Sequence, residues 1–229
     1  MSAERIAIVG GGPAGLATAR AYRACGGQGA VTLLCEEPLL PYARPPLTKG
    51  FLRGEIEERE LPIEQRAWFE EHGVELRHRR APAQRAGCRC RAEQSVAVDE
   101  AMRSVSHGGA VLAVGDVAVA HNARAGRALR VEHWGDALTH GEVAGRTLTR
   151  GDGRWDSVPG FWSTIGEHTL KHAAWGDGHD RCRLVEHPGG AFSVWYSRGD
   201  ALVGVLTHDR DEDYERGREL IESGKPAPA

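Results

Sequence analysis

Hydrophobic and polar positions in residues 5–76 alternate between two periods. Arg5–Gly10 is a short apolar run of strand length, and from Pro13 to Cys25 the apolar positions recur at helical spacing. A second apolar run, Val31–Cys35, returns to strand character and ends in Glu36-Glu37. Pro62–Gly73 opens with proline and predicts a helix, followed by a strand over Val74–Leu76. The pattern stops near residue 77 and resumes at Val96–Glu100, then in the apolar run of residues 111–118, read as a strand ending in Gly-Asp. Ala137, Gly141, Ala144 and Leu148 share one face and predict a helix from about Trp134 to Leu148. Further on, Arg181–Glu186, Phe192–Ser197 and Leu202–Thr207 predict a three-stranded meander. Tyr214, Leu220 and Ile221 mark a closing helix that stops at Gly224. His168 and His172 stand four apart and are read as exposed residues of a helix.

Composition narrows the class without choosing a chemistry. The 229 residues suffice for one or two domains, and 41% hydrophobic with 27% charged residues is ordinary for a globular protein. A net charge of −3 gives no general attraction to nucleic acid or an anionic membrane. Arginine outnumbers lysine 26 to 3, which reads as a genomic composition bias. No apolar run approaches the roughly 20 residues of a membrane span, and no signal-peptide pattern is present, so a cytoplasmic protein is expected. Five scattered cysteines do not make a disulfide framework.

The chemistry begins between the first strand and the first helix. In IAIVGGGPAGLATA, residues 6–19, Gly10, Gly12 and Gly15 satisfy G-x-G-x-x-G, with Pro13 and Ala14 inside the motif. The first glycine permits a tight turn, the second lets the backbone approach a pyrophosphate, and the third allows close helix–strand packing. The helix that follows offers free N–H groups to the phosphates. Glu36 closes the second strand at the position of a ribose-binding carboxylate, with Glu37 in reserve. This is the reading of a Rossmann-like dinucleotide site.

The stretch PYARPPLTKGFLRG, residues 41–54, decides which dinucleotide. Its paired prolines, Pro45 and Pro46, are read as fixing an extended segment that holds Arg44 and Lys49. Residues 44–49 resemble the R-P-P-L-[ST]-K motif of the ferredoxin and rubredoxin reductases, the apoptosis-inducing-factor-like branch of the FAD-dependent pyridine nucleotide–disulfide oxidoreductases. The resemblance implies FAD, with Arg44 and Lys49 approaching the flavin and Lys49 as the catalytic candidate favouring the electron-rich reduced ring. VLAVGDVA, residues 111–118, resembles the family's second flavin motif, which implies that Gly115 opens the backbone and Asp116 binds the ribityl chain. Arg130–Trp134 matches R-x-E-x-W, so Glu132, His133 and Trp134 are implied at the flavin's pyrimidine end. Pro159–Ser163 resembles P-x-F-W-S, which implies that Trp162 leans toward the ring. Thr164-Ile165 stands where relatives commonly have Asp-Gln.

The expected architecture is α/β: a Rossmann-like FAD-binding domain in two segments, 1–76 and 96–155, and a small C-terminal α+β interface domain at 156–229. Intact relatives insert a second nucleotide fold for NAD(P)H between the two FAD segments. Here residues 77–95 occupy that place. They carry six arginines and no second glycine fingerprint, and a βαβ unit needs roughly 30 residues or more. This segment is read as an irregular, solvated connector. Cys88-x-Cys90 within it has no partner cluster at metal-ligand spacing, so no metal is expected. NAD(P)H is therefore doubtful as a donor, and a ferredoxin-like iron–sulfur protein is the implied partner. Neither nucleic acid nor membrane is expected. Loss of the inserted domain would leave faces that a homo-oligomer could cover. Two readings stay open: an FAD oxidoreductase of the ferredoxin-reductase type with impaired NAD(P)H reduction, and a non-catalytic FAD-binding remnant or interaction protein.

Overall fold

The computed structural model describes residues 5–78 and 95–228. The chain divides into two compact units, residues 1–121 with 129–155, and residues 122–128 with 156–229. The Cys88-x-Cys90 pair and most of the connector lie outside the described residues.

The first unit opens with β1 (Arg5–Val9), α1 (Pro13–Ala24) and β2 (Ala30–Cys35), followed by α2 (Arg66–Glu71) and β3 (Val74–His78). All three strands are parallel with β2 in the centre, Ile8 facing Leu33 and Val31 facing Val74. The alternation of Val31, Leu33 and Cys35 puts these side chains in a core with Leu16, Ala19, Tyr22 and Phe69. Tyr22 is fully buried, and its hydroxyl accepts the Gly29 N–H at 2.8 Å. Arg23, in the last turn of α1, donates to the carbonyls of Gly27, Gly29, His72 and Gly73, which fastens the helix end to both neighbouring loops.

The helix expected over Pro62–Gly73 is shorter, beginning at Arg66 after Gln65. Pro62 instead bridges Tyr42: Ala43 N–H donates to Leu61 O at 2.8 Å and Ile63 N–H to Pro41 O at 2.9 Å. These bonds hold the start of the proline-rich motif. Within it, Pro45–Thr48 forms a 3₁₀ turn with Arg44 in helical conformation, so the expected extended segment is corrected. Proline's fixed φ suits the first positions of such a turn, and Leu47 N–H closes it on Arg44 O.

After the connector come β4 (Val96–Val98), β5 (Ala118–Asn122), β6 (Arg127–Arg130) and α3 (Trp134–Thr149). β4 pairs in parallel with β5, and β6 completes this small sheet. The strand expected over residues 111–118 is not formed. Leu112 makes one isolated bridge to Arg103, and Gly115–Val117 is a 3₁₀ turn leading into β5. Glycine at 115 with φ +69° breaks the extended conformation there.

The second unit is a five-stranded antiparallel sheet of β7 (Gly160–Ile165), β8 (His168–Ala174), β9 (Arg181–Glu186), β10 (Phe192–Arg198) and β11 (Ala201–His208), ordered β7-β8-β11-β10-β9. The last three are the expected meander. β7 and β8 are an additional hairpin, so His168 and His172 lie on a strand and not on a helix. α4 (Asp211–Glu222) packs on this sheet, with Val158, Ala173, Trp195, Leu202, Val205 and Ile221 as the core. Three acidic residues fill its first turn, and Gly224 ends it at φ +62°.

Candidate functional site

The candidate site lies in the first unit, where β1 runs into α1. Gly10 takes φ +110°, a conformation side chains disfavour, and its N–H donates to Leu34 O at 2.9 Å. A Cβ at Gly15 would stand 2.2 Å from Gly10 O and 3.2 Å from Ile8 Cγ2, so helix and strand meet only because the side chain is absent. At Gly12 the opposite holds: a Cβ would meet nothing within 4 Å. That open space fronts the helix N-cap. Pro13 occupies the first helical position, and no acid stands in the first turn. The first-turn N–H groups of α1 therefore have no helix partner and no competing carboxylate.

Sequence reasoning passed over Gly11. A Cβ there would lie 2.6 Å from Cys35 Sγ and 3.8 Å from Pro41 Cγ, so the end of β2 and the start of the proline motif both abut the loop. Burial, aided by the charge of Glu37, pushes the Cys35 thiol up, which keeps it a protonated packing group. The motif requires glycine only on either side of Gly11, and no signal in the sequence marks this third position.

The two carboxylates behind β2 have different surroundings. Glu37 accepts the Tyr42 hydroxyl at 2.9 Å and Arg44 Nη2 at 2.9 Å. That bond from Tyr42 to Glu37 raises the phenol above its ordinary value. Glu36 is exposed and makes no hydrogen bond or ion pair among the described residues. Arg44 is thus engaged, its guanidinium also lying 5.8 Å from the Tyr42 ring. Lys49 caps the 3₁₀ turn, half-buried, and has no ion pair among the described residues.

The second motif converges on the same helix start. A Cβ at Gly115 would be 3.0 Å from Ala14 Cβ and 3.6 Å from Ala137 Cβ, so this turn sits between the beginnings of α1 and α3. Asp116, beside it, is exposed and unpaired among the described residues. The two helices themselves touch through glycines. At Gly141 a Cβ would meet Ala14 O at 2.5 Å and Thr18 N at 2.9 Å; at Gly145 it would meet Ala21 Cβ at 2.4 Å. At the head of α3, His133 is the N-cap with its Nδ1 3.6 Å from the buried Asp136 carboxylate, and Trp134 is the first, half-buried residue. Glu132 is exposed and paired with Arg130 at 2.8 Å. Trp162 lies on β7 of the second unit and is 58% exposed.

A buried histidine supports the turn and was also passed over in the sequence. His140 has no solvent exposure and accepts the Gly115 N–H on Nδ1 at 3.3 Å, which puts its proton on Nε2. Its Nε2 has no hydrogen-bond partner among the described residues, and Trp155 packs edge-on at 4.5 Å. Burial pushes its pKa down from 6.5 to about 4, so the ring is neutral at physiological pH.

Residues 4–81 match the model of the pyridine nucleotide-disulphide oxidoreductase domain, and residues 160–229 match a reductase C-terminal domain. Rhodocoxin reductase of Rhodococcus erythropolis is 37% identical over 71 residues, 31% of this chain and 17% of that protein. The ferredoxin–NAD(+) reductase subunit of a benzene 1,2-dioxygenase system from Pseudomonas putida is 40% identical over 74 residues, 32% of this chain and 18% of that protein. These matches span less than a fifth of the relatives' length. In structure, the chain is similar to the reductase of a covalent putidaredoxin reductase–putidaredoxin complex, with a TM-score of 0.86 at 15% identity, covering 97% of this chain and 94% of that one. A ferredoxin reductase from Rhodopseudomonas palustris gives 0.84 at 16% identity, covering 97% and 95%. At such identities the likeness is one of fold. Between His78 and Val96 only residues 79–95 intervene, where a βαβ unit of roughly 30 residues would be required for a second nucleotide fold. No described helix is long and apolar enough to cross a membrane. The chain carries the pyridine nucleotide-disulphide oxidoreductase and reductase C-terminal domains, and the relatives it matches are ferredoxin and rubredoxin reductases.

Proposed function

We propose that the first unit binds FAD and that the protein is an electron-transfer flavoprotein of the ferredoxin-reductase type without its own nicotinamide port. The observation that carries this reading is the meeting of three elements at Ala14: the open backbone of Gly12, the Gly115-Asp116 turn and the start of α3. These residues fit the group. The uncrowded space at Gly12 and the unpartnered N–H groups of α1 suit a pyrophosphate, and Glu36 has both oxygens free for ribose hydroxyls. Asp116 presents an unpaired acceptor for the ribityl chain, and Lys49 an uncommitted ammonium for the ring. The α3 N-terminus adds partial positive charge that stabilises an anionic ring edge. Arg44, spent on Glu37, braces the ribose-side loop instead.

Bound FAD would supply a two-electron store that can be emptied one electron at a time, which suits an iron–sulfur acceptor. Electrons would reach this chain from a partner protein, because residues 79–95 leave no room for a nicotinamide fold. The same shortfall favours a second reading, a binding remnant that holds FAD without turnover. Titrating the flavin-free chain with FAD, read by flavin fluorescence, tests the binding claim. The expected result is one FAD per chain, competed by ADP and weakened by Glu36→Gln; no saturable binding would overturn it. Reduction of a ferredoxin by the chemically reduced holoprotein separates the two readings.

A further inference from the structure

Pairing of β8 with β11 brings together residues 40 positions apart. His208, at the end of β11, faces Leu170 in the ladder, and His168 stands two residues earlier at the start of β8. His208 Nε2 lies 3.0 Å from His168 Nδ1 and 3.2 Å from Asp209 Oδ2. Among the described residues this group brings three potential ligand atoms within 4.8 Å of one another. We propose that His168, His208 and Asp209 form a binding site for a divalent transition-metal ion in the second unit.

The convergence of these three ligand atoms carries the proposal. His208 Nδ1 faces Gly190 O at 3.2 Å, and a carbonyl only accepts, so the proton of the neutral ring sits on Nδ1. That leaves a lone pair on Nε2, pointed at a carboxylate oxygen that also carries only lone pairs. His168 Nδ1 meets the same Nε2, so a single cation seated here could take a lone pair from each of the three side chains. A ring N–H held by a backbone carbonyl is the arrangement that fixes metal-binding histidines, because it orients the other nitrogen and raises its basicity. His168 is exposed, and its Nδ1 is the ring nitrogen turned toward His208.

The third ligand is held by the backbone. Asp209 has φ +52°, in the left-handed region where aspartate is among the few tolerated side chains. Its N–H donates to Thr169 O at 3.4 Å, and its Oδ1 accepts the Thr169 N–H at 3.5 Å. The chain thus turns sharply out of β11 and returns the carboxylate to His208, leaving Oδ2 for the metal. Bonds of about 2.0–2.2 Å place tetrahedral ligand atoms about 3.3–3.6 Å apart, a few tenths of an ångström wider than the 3.0 and 3.2 Å separations seen here. Two imidazoles and one carboxylate select zinc, cobalt, nickel or copper over magnesium or calcium. Three protein ligands leave a fourth position open to water.

Calorimetric titration of the chelator-treated full chain with Zn²⁺ tests the site. One ion per chain is expected, with affinity reduced at least tenfold in His168→Ala and in Asp209→Asn, and unchanged in the double variant Cys88→Ser/Cys90→Ser. Both site variants should fold: His168 is exposed, and asparagine tolerates the left-handed backbone. Absence of stoichiometric Zn²⁺ uptake, or equal affinity of both site variants and the parent chain, overturns the proposal.

Discussion

In the first unit a glycine of α3, Gly141, faces the backbone of α1, whereas in the second a glycine of α4, Gly217, faces a valine side chain of its sheet. At Gly141 the atoms that exclude a side chain include Ala14 O and Thr18 N, which are backbone. At Gly217 they are Cγ1, Cβ and Cγ2 of Val205, at 2.5–2.9 Å. The backbone contact draws two helix N-termini and the Gly115 turn into one place, and repacking offers no relief if it is lost. The side-chain contact only seals a core and has alternatives.

The largest expected effect follows from that contrast. Gly141→Val should destabilise the protein by about 3 kcal/mol, the upper end of ordinary overpacking, and abolish FAD binding, read by urea unfolding and fluorescence titration. Loss of stability with FAD affinity intact would separate the helix contact from the site.

A comparable effect is expected from pH at His140. The unfolded chain takes up a proton at the ordinary value of 6.5, whereas the folded ring stays neutral down to about 4. Stability is therefore full above about pH 6.5, falls as pH drops, and the whole contribution of roughly 3 kcal/mol is lost below about 4. Unfolding curves of the parent chain and His140→Gln across this window should differ in slope, the variant lacking this dependence.

A smaller effect sharpens the comparison further. Gly217→Ala should cost about 1–3 kcal/mol alone, and Val205→Ala should recover at least about 1 kcal/mol of it in a double-mutant cycle. Gly141→Ala combined with Ala17→Gly should recover none, since Ala14 O and Thr18 N remain in the way. Smallest is the carboxylate choice: Glu36→Gln should weaken FAD by about tenfold, or about 1.4 kcal/mol, and Glu37→Gln by less, because Tyr42 and Arg44 already occupy Glu37.

The same contrast explains what the sequence disclosed. Elements with a single period were legible: β1, α1, β2, α3 and the closing α4 fall within a residue or a few of expectation. The hairpin of β7 and β8 was not. A spacing of four puts His168 and His172 on one face of a helix and equally on one face of a strand, and the intervening Thr169 and Lys171 are polar on the opposite face. The run at residues 111–114 has a strand's composition, but glycines at 108, 109 and 115 with positive φ on both sides stop the ladder. Pro62 has the appearance of a helix start and is used as an edge bridge to Tyr42. In the candidate site, the fingerprint glycines were legible because their roles are local. Gly11, His140 and the pairing of Glu37 with Arg44 depend on partners distant in sequence, and no local pattern announces them.

The central claim is a flavin site without a nicotinamide port. The most direct test is the visible spectrum of the FAD-loaded protein under anaerobic conditions, recorded first with NADPH or NADH and then with dithionite. The account predicts flavin bands that persist with either nicotinamide nucleotide and bleach with dithionite. Rapid bleaching by NADPH or NADH would contradict it, because the chain would then hold a nicotinamide site.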